Sequence, residues 1–262
     1  MSDILQTHLP SAPWMAEATR RLPGIQPLVA GEWLARDEAF AGQMALRDRL
    51  VAERRGGVIA AVPGSERAVA ELYDVVLSCL SGRDGYAWGE SACQRPDGVS
   101  VELDPGDALG TLARLVQQDL CLLEKPTGAE EHVLVAAALC FPASWTLAEK
   151  IGRPLSEIHD PVAPYDAGMA HRVQRLFDNL RVEQPLWRQN ALVYADPALY
   201  QPRRVAAPRS EGGGGYLRSE KQVLWRLPES RAVVFSIHTY VVALHDLTAD
   251  QRAGLAEIAS VG

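Results

Sequence analysis

The chain has 262 residues, of which 47% are hydrophobic and 23% charged, and this ordinary globular composition excludes wholesale disorder. Its formal net charge of -7 disfavours nucleic-acid binding, which needs a basic surface to neutralise phosphates. The longest apolar stretch, VLVAAALCFPA from Val133, is too short to span a membrane and contains a proline, and the N-terminus lacks a cleavable targeting pattern. We therefore expect a cytoplasmic protein with no membrane or nucleic-acid partner.

The first half of the chain is predicted to be mostly helical. Apolar residues recur at helical spacing over 37–57, which ends at a glycine pair, and over 65–82, where Ser65 is the expected N-cap. The Gly- and Pro-rich segment 81–107 is either a lid or a long connection, and a further short helix is expected over 108–120.

The second half changes to strands with helices between them. The apolar run 132–141 favours a buried strand, Ser144 is expected to cap a helix over 145–152, and a short helical turn from Pro154 ends at His159. Asp166 is the expected cap of the next helix, over 167–180. Three strand-like segments follow at 186–195, 215–227 and 232–242. The last two are joined by a PES turn, which indicates a hairpin.

This order predicts an α+β protein whose antiparallel sheet has helices inserted before its last three strands. We expect a single domain over 1–262, with a helical N-terminal part of about residues 1–130 packed on a sheet part of about residues 131–262.

Cysteine and glycine patterns limit the chemistry. The cysteines lack the Cys-x-x-Cys spacing of zinc, redox and haem-attachment sites, so we expect reduced, buried thiols; Cys140, considered as a metal thiolate, is expected in the core. EGGGG at 211–215 lacks the strand-turn-helix context of a phosphate loop, and the chain has no dinucleotide fingerprint. If the chain does redox chemistry, we therefore expect its electrons to come from elsewhere. The four cysteines are Cys79, Cys93, Cys121 and Cys140.

Two groups of polar residues stand out from this scaffold. His159 lies on a corner that Pro161 and Pro164 prevent from continuing as helix. In the last strand, alternation places Ser236, His238 and Tyr240 on one face, and in the preceding strand Arg218, Glu220 and Gln222 share a face. Each face either borders a ligand or is an ordinary solvated side of an antiparallel sheet. The remaining histidines are expected to be structural or exposed: His8, His132, His171 and His245.

Several ordered blocks resemble a known family. The segments LVQQDLCLL, CFPASWTLAEKIGRPLSEIHDPVAPY, RLFDNL and RSEKQVLWRLPESRAVVFSIHTY are similar to the haem-dependent oxidative N-demethylase alpha subunit, the catalytic component of bacterial dimethylamine monooxygenase. The resemblance covers roughly the last 150 residues in register. It implies a PAS-like antiparallel sheet that binds haem b non-covalently, and oxidation of a small secondary amine with O2 to a primary amine and formaldehyde. It also implies that FMN and iron–sulfur groups reside on partner reductase proteins.

The resemblance gives the polar residues specific expected roles. Haem iron needs an axial donor on a stiff backbone, so His159 is the expected metal ligand and His238 the alternative. The two haem carboxylates need hydrogen-bonded cations, for which Arg172 and Arg218 are the candidates and Arg188 a weaker third.

A catalytic group is expected beside these haem ligands. Glu220 is the candidate acceptor for the proton of the ammonium substrate, and the competing interpretation is an exposed Glu–Arg pair. Ser236, His238 and Tyr240 are expected to complete the polar side of this site if the two strands pair around PES.

Two other functions are compatible with the sequence. A haem-binding or ligand-binding PAS-like sensor without catalysis shares the expected fold, because fold alone does not decide function. A haem-free interaction protein that keeps only the scaffold is the third possibility. The identity of the amine, the choice between His159 and His238, the reductase and the presence of a homo-oligomer are not specified by the sequence.

Overall fold

The structure is a computed structural model that describes residues 4–20, 24–29, 31–159, 167–203 and 214–259, without the side chains of residues 159, 167 and 257–259. The helices in these ranges are α1 (Glu17–Arg20), α2 (Phe40–Glu53), α3 (Arg55–Val58), α4 (Glu66–Ser81), α5 (Ala108–Leu115), α6 (Leu147–Lys150), α7 (Leu155–His159), α8 (Ala167–Asp178) and α9 (Ala249–Ala259). The strands are β1 (Gln26–Pro27), β2 (Ile59–Ala61), β3 (Ala87–Trp88), β4 (Ala92–Gln94), β5 (Ser100–Glu102), β6 (Asp119–Glu124), β7 (Val133–Ala138), β8 (Leu186–Tyr194), β9 (Tyr216–Arg226) and β10 (Val233–Ala243).

A seven-stranded sheet forms the centre of the fold. Its strand order is β1-β8-β9-β10-β6-β7-β2 and each neighbouring pair is antiparallel, which confirms the α+β expectation. The three long C-terminal strands and the hairpin around PES were predicted, and β7 confirms the strand in the apolar run. Strands from both sides of residue 130 join this one sheet.

Two predicted elements in the first half differ from the structure. The helix expected over 108–120 ends at Leu115, because Val116 is extended at φ -126° and ψ 154°, and the chain then enters β6 in the middle of the sheet. The segment 81–107 contains a separate three-stranded sheet, β3-β4-β5, and is more than a connection.

The predicted helix caps differ from those observed. Ser65 occupies the position before α4, but its hydroxyl donates to the Val62 carbonyl and caps no helix N–H. Thr146, and not Ser144, precedes α6, because Ser144 has a positive φ of 64° that starts no helix. Asp166 lies outside the described residues.

Helices cover both faces of the sheet, which are called the α4 face and the α8 face after the helices that pack on them. On the α4 face, Leu72 and Val76 of α4 pack with sheet residues such as Leu122, together with helices α2 and α5. On the α8 face, Phe177 of α8 packs with sheet residues such as Leu224, together with α6 and α7. No helix within the described ranges is long and apolar enough to cross a membrane.

Asp119 fixes the loop that leaves β7. Its carboxylate accepts the backbone N–H groups of Cys140 at 2.7 Å and Phe141 at 2.9 Å, and a charge-assisted hydrogen bond from Arg47 at 2.8 Å. Both members of the Arg47–Asp119 ion pair are buried, so the loop is attached to α2 and β6 by groups that water cannot replace. The same loop contacts β9, because the Phe141 carbonyl accepts a hydrogen bond from Arg218.

Candidate functional site

Glu220 and His238 lie on opposite faces of the sheet. Directly opposed residues of an antiparallel pair point to the same side. Glu220 is opposite Thr239, whereas His238 is opposite Lys221. The strands pair around PES as predicted, but the register separates the two polar groups.

The expectation that Ser236, His238 and Tyr240 complete a site with Glu220 is therefore wrong. Ser236 is opposite Val223 and Tyr240 is opposite Ser219, so all three belong to the α4 face. Other residues share the α8 face with Glu220. Asn190 of β8 and Thr239 of β10 lie directly opposite Glu220. Gln222 lies two residues further along β9, and Arg188 of β8 is opposite Gln222.

His238 is held by protein groups at both ring nitrogens. Gln118 Nε2 donates to the Ala35 carbonyl at 2.7 Å and to His238 Nδ1 at 2.9 Å, so Nδ1 is an acceptor. His238 Nε2–H then donates to Asp37 Oδ2 at 2.8 Å. Because each nitrogen already has a partner and the ring is only 2% exposed, this imidazole has no lone pair directed at a ligand.

Asp37 is the acceptor at the centre of this buried network. Burial alone raises the pKa of its carboxyl, but hydrogen bonds from His238, Gln117 and Gln6 outweigh burial and lower the pKa below its ordinary value. Since Gln6 also donates to the Thr239 carbonyl, the network attaches the N-terminal segment to β10. The arrangement explains His238 as a structural residue.

Tyr240 belongs to the same side of the sheet. Its ring packs edge-on against His238 with centroids 4.6 Å apart, and it joins an apolar cluster with Leu9 and Trp14. Burial, reinforced by the negative charges of Asp37 and Glu38, raises the pKa of the Tyr240 hydroxyl. Tyr240 therefore stays neutral and does not border Glu220.

The Glu220 carboxylate is oriented by three side-chain hydrogen bonds. Oε1 accepts from Arg218 Nε at 3.3 Å, and Oε2 accepts from Asn190 Nδ2 at 3.2 Å and Gln222 Nε2 at 3.1 Å. Asn190 is itself fixed, because its Oδ1 accepts the Glu220 backbone N–H at 2.9 Å. A carboxylate offers about four acceptor positions, so about one remains for a ligand.

Arg218 is committed to the protein. It is only 2% exposed, and its Nη1 and Nη2 donate to the carbonyls of Leu199 at 3.1 Å and Phe141 at 2.6 Å. With Nε on Glu220, the guanidinium joins β9 to two loops and positions the carboxylate. This geometry favours a structural and positioning role for Arg218 over a role as carboxylate receptor.

Within the described ranges, Arg188 is a cation on the α8 face without a hydrogen-bond acceptor. Its Nε is buried, and no hydrogen-bond partner for the side chain occurs among the described residues. Burial lowers the pKa of the Arg188 guanidinium, although the nearby Glu220 charge opposes that shift. A half-buried cation without an anion in hydrogen-bond contact is costly, so this position is suited to an anionic ligand.

The other two predicted cofactor residues are less informative. Arg172 lies on the exposed side of α8, where its Nη2 is 4.0 Å from Met169 Sδ. His159 is the last residue of α7, as predicted, but its side chain and the following corner, 160–166, lie outside the described part of the chain.

The residues around Arg188 fit a group with an apolar body and carboxylates. On the α8 face, Phe235 and Ile237 from β10 and Val173 and Leu176 from α8 belong to one apolar cluster. Arg188 adds a donor of the kind that a haem carboxylate needs, because its Nε has no acceptor among the residues that the structure describes. The fit therefore rests on Arg188, which the sequence indicated only as the weakest of three candidates.

No group of three His, Cys, Asp or Glu residues within the described ranges is arranged to hold a metal ion. All four cysteines are free, and Cys79 is half-buried while the other three are buried. Burial raises the pKa of the Cys140 thiol to about 12, so it remains a protonated core residue as expected.

Sequence reasoning missed Asp37, Asn190 and Thr239. Asn190 and Thr239 were recognisable only once the register of β8, β9 and β10 was known, because each lies directly opposite Glu220. Asp37 contacts His238 across a separation of 201 residues, for which the sequence carries no local signal.

Comparison with known families gives a match over most of the chain. The model of the family described as haem-dependent oxidative N-demethylase, alpha subunit-like, matches residues 24–261. The match includes every strand of the main sheet and therefore both of its faces. The description indicates haem dependence and an oxidative demethylase activity, and the words alpha subunit-like imply partner subunits.

Proposed function

Because the chain belongs to the haem-dependent oxidative N-demethylase alpha subunit-like family, we propose that it is a haem-dependent monooxygenase acting on a small secondary amine. For dimethylamine the balanced reaction is (CH3)2NH + O2 + 2 e⁻ + 2 H⁺ → CH3NH2 + HCHO + H2O. The family resemblance implies that the electrons come from flavin and iron–sulfur reductase proteins, and the chain itself has no dinucleotide fingerprint.

The α8 face is the proposed side of the sheet for the haem. Arg188 would bind one haem carboxylate, and the apolar residues of β10 and α8 would cover the ring. His159 would be the residue that holds the haem iron, since both nitrogens of His238 have protein partners. When bound, haem b supplies the redox-active iron at which O2 is activated.

Glu220 is the proposed binding group for the amine. A dialkylamine is protonated at neutral pH, and the carboxylate can hold the ammonium by charge and accept its proton before the N-methyl group is oxidised. Arg218, Asn190 and Gln222 fix the carboxylate orientation, so its remaining acceptor position has a defined direction.

One observation carries the proposal beyond family membership. An Arg188 cation with no acceptor among the described residues lies on the same sheet face as a carboxylate with an acceptor position to spare. This pair supplies one group for an anionic cofactor and one for a cationic substrate. A haem sensor would require the first group but not the second.

The test is formaldehyde release from dimethylamine. Hemin-loaded full chain is supplied with O2 and a ferredoxin-type reductase system, and formaldehyde and methylamine are quantified and should form in equal amounts. We expect Glu220→Gln to lower kcat/KM at least about tenfold, because the charge that binds the ammonium is lost. Glu229→Gln, at an exposed position of the β9–β10 turn, is the matched control and should keep full activity.

Two results would contradict this function. Absence of formaldehyde from any methylamine, in a protein whose haem is reducible and reacts with O2, would favour a non-catalytic sensor. Full activity in Glu220→Gln would remove Glu220 from the reaction.

A further inference from the structure

Two of the buried polar atoms without partners lie around Glu220. Among the described residues, such atoms are Trp88 Nε1, Gln118 Oε1, Arg188 Nε, Ser236 Oγ and Thr239 Oγ1. Trp88 belongs to the small sheet, Ser236 lies on the α4 face, and Gln118 contacts His238 from that same side. Arg188 and Thr239 alone of this set lie on the α8 face with Glu220.

The Thr239 hydroxyl needs an explanation of its own. The residue is 2% exposed, and its backbone carbonyl already accepts from Gln6, but Oγ1 has no partner in the described part of the chain. Leaving a buried hydroxyl unpaired costs about 1–3 kcal/mol, so such a group calls for an explanation, and a ligand that binds to it is one. Threonine at this position is costly unless something binds to it.

Thr239 is directly opposite Glu220 on the neighbouring strand. Opposed side chains have Cβ atoms about 4.5–5.5 Å apart, so a nitrogen above the pair can reach both. Three donors already occupy the Glu220 carboxylate, which leaves it about one acceptor position. The Thr239 hydroxyl oxygen provides a second acceptor next to it.

We infer that Glu220 and Thr239 each accept one N–H group of the substrate ammonium, and that Thr239 is the residue that selects secondary over tertiary amines. This inference rests on the proposed amine site. A secondary ammonium has two N–H bonds, one for Glu220 and one for Thr239. A tertiary ammonium has one, so it leaves Thr239 unpaired and places a methyl group against the hydroxyl.

The experiment measures binding and does not depend on turnover. Dimethylammonium and trimethylammonium chloride are titrated calorimetrically into the hemin-reconstituted full chain, as wild type and as Thr239→Val and Thr239→Ser. We expect wild type to bind dimethylammonium about tenfold more tightly than trimethylammonium, since a hydrogen bond to a charged group has that value. Thr239→Val, which keeps the side-chain shape, should remove the preference, and Thr239→Ser should retain it.

Ser236→Ala is the matched control. Ser236 is an equally buried residue of β10 whose hydroxyl has no partner in the described part of the chain, but it lies on the opposite face, so its removal should leave the preference unchanged. If Thr239→Val keeps the preference, or weakens the binding of both ammonium ions equally, the inference about Thr239 is overturned while the proposed amine site stands. Equal binding of both ammonium ions by wild type would also overturn it, even if Thr239→Val failed to fold. Binding of neither ion by wild type would overturn the proposed amine site as well.

Discussion

Glu220 and His238 lie on adjacent strands but point to opposite faces of the sheet, because each cross-strand pair of β9 and β10 joins an even-numbered residue to an odd-numbered one. The proposed ligand site therefore contains Glu220, Thr239 and Arg188 and excludes His238. The other face holds a buried network in which His238 bridges Asp37 and Gln118.

The first prediction concerns the stability of that network. Asp37→Ala and His238→Ala should each lower the free energy of unfolding by about 2–4 kcal/mol, because each leaves a buried polar partner without its hydrogen bond. The double variant should cost clearly less than the sum, since the two residues share one interaction. Urea unfolding of the three variants measures this, with the exposed His245→Ala as control. Strict additivity would show that the pair is not coupled.

The second prediction separates Arg188 from Arg218. Arg188→Leu should reduce hemin affinity about tenfold while the haem-free protein keeps or gains stability, because an apolar group replaces a half-buried cation that has no acceptor in the described ranges. Arg218→Leu should instead destabilise the haem-free protein by about 3 kcal/mol, because Phe141 and Leu199 lose their donor. Hemin titration and urea unfolding of both variants test the difference. A destabilised Arg188→Leu protein with unaltered hemin affinity would reverse the two roles.

The third prediction concerns pH. Burial, which outweighs the hydrogen bond with Gln174, lowers the pKa of His132 below its ordinary value of 6.5. The unfolded chain therefore binds a proton at His132 more readily than the folded chain does. The stability that depends on neutral His132 is complete above pH 6.5 and is lost as the pH falls from there towards the pKa of the folded state. His132→Gln should flatten the fall in Tm over this range.

His245→Gln is the matched control for that experiment, because the His245 side chain is 84% exposed. It should leave the pH dependence of Tm as in wild type. An equally steep fall in His132→Gln would assign the acid sensitivity to another group.

The strands could be predicted from the sequence, but the register between neighbouring strands could not. Alternation in β9 and β10 is a local property, so the faces of each strand were predictable separately, as was the hairpin at PES. Which faces coincide depends on the register, and an odd shift moves every side chain to the other side. That is why His238 and Tyr240 were wrongly placed beside Glu220.

Long-range partners account for the remaining differences. Arg218 is a plausible carboxylate receptor from its strand position alone, but it contacts the carbonyls of Phe141 and Leu199, across 77 and 19 residues. Arg188 has no distinguishing local pattern, because its significance lies in the absence of an acceptor within the described ranges. Such properties arise from packing, which a single sequence does not display.

The most direct test of the proposed haem site is a hemin titration of wild type, His159→Ala and His238→Gln, followed at the Soret band. We expect wild type to saturate at one haem per chain, His238→Gln to give the same spectrum, and His159→Ala to lose haem or change its ligand-field spectrum. A wild-type protein that does not take up hemin would contradict the haem assignment. A normal spectrum in His159→Ala together with an altered one in His238→Gln would place the haem on the α4 face and contradict its proposed position on the α8 face.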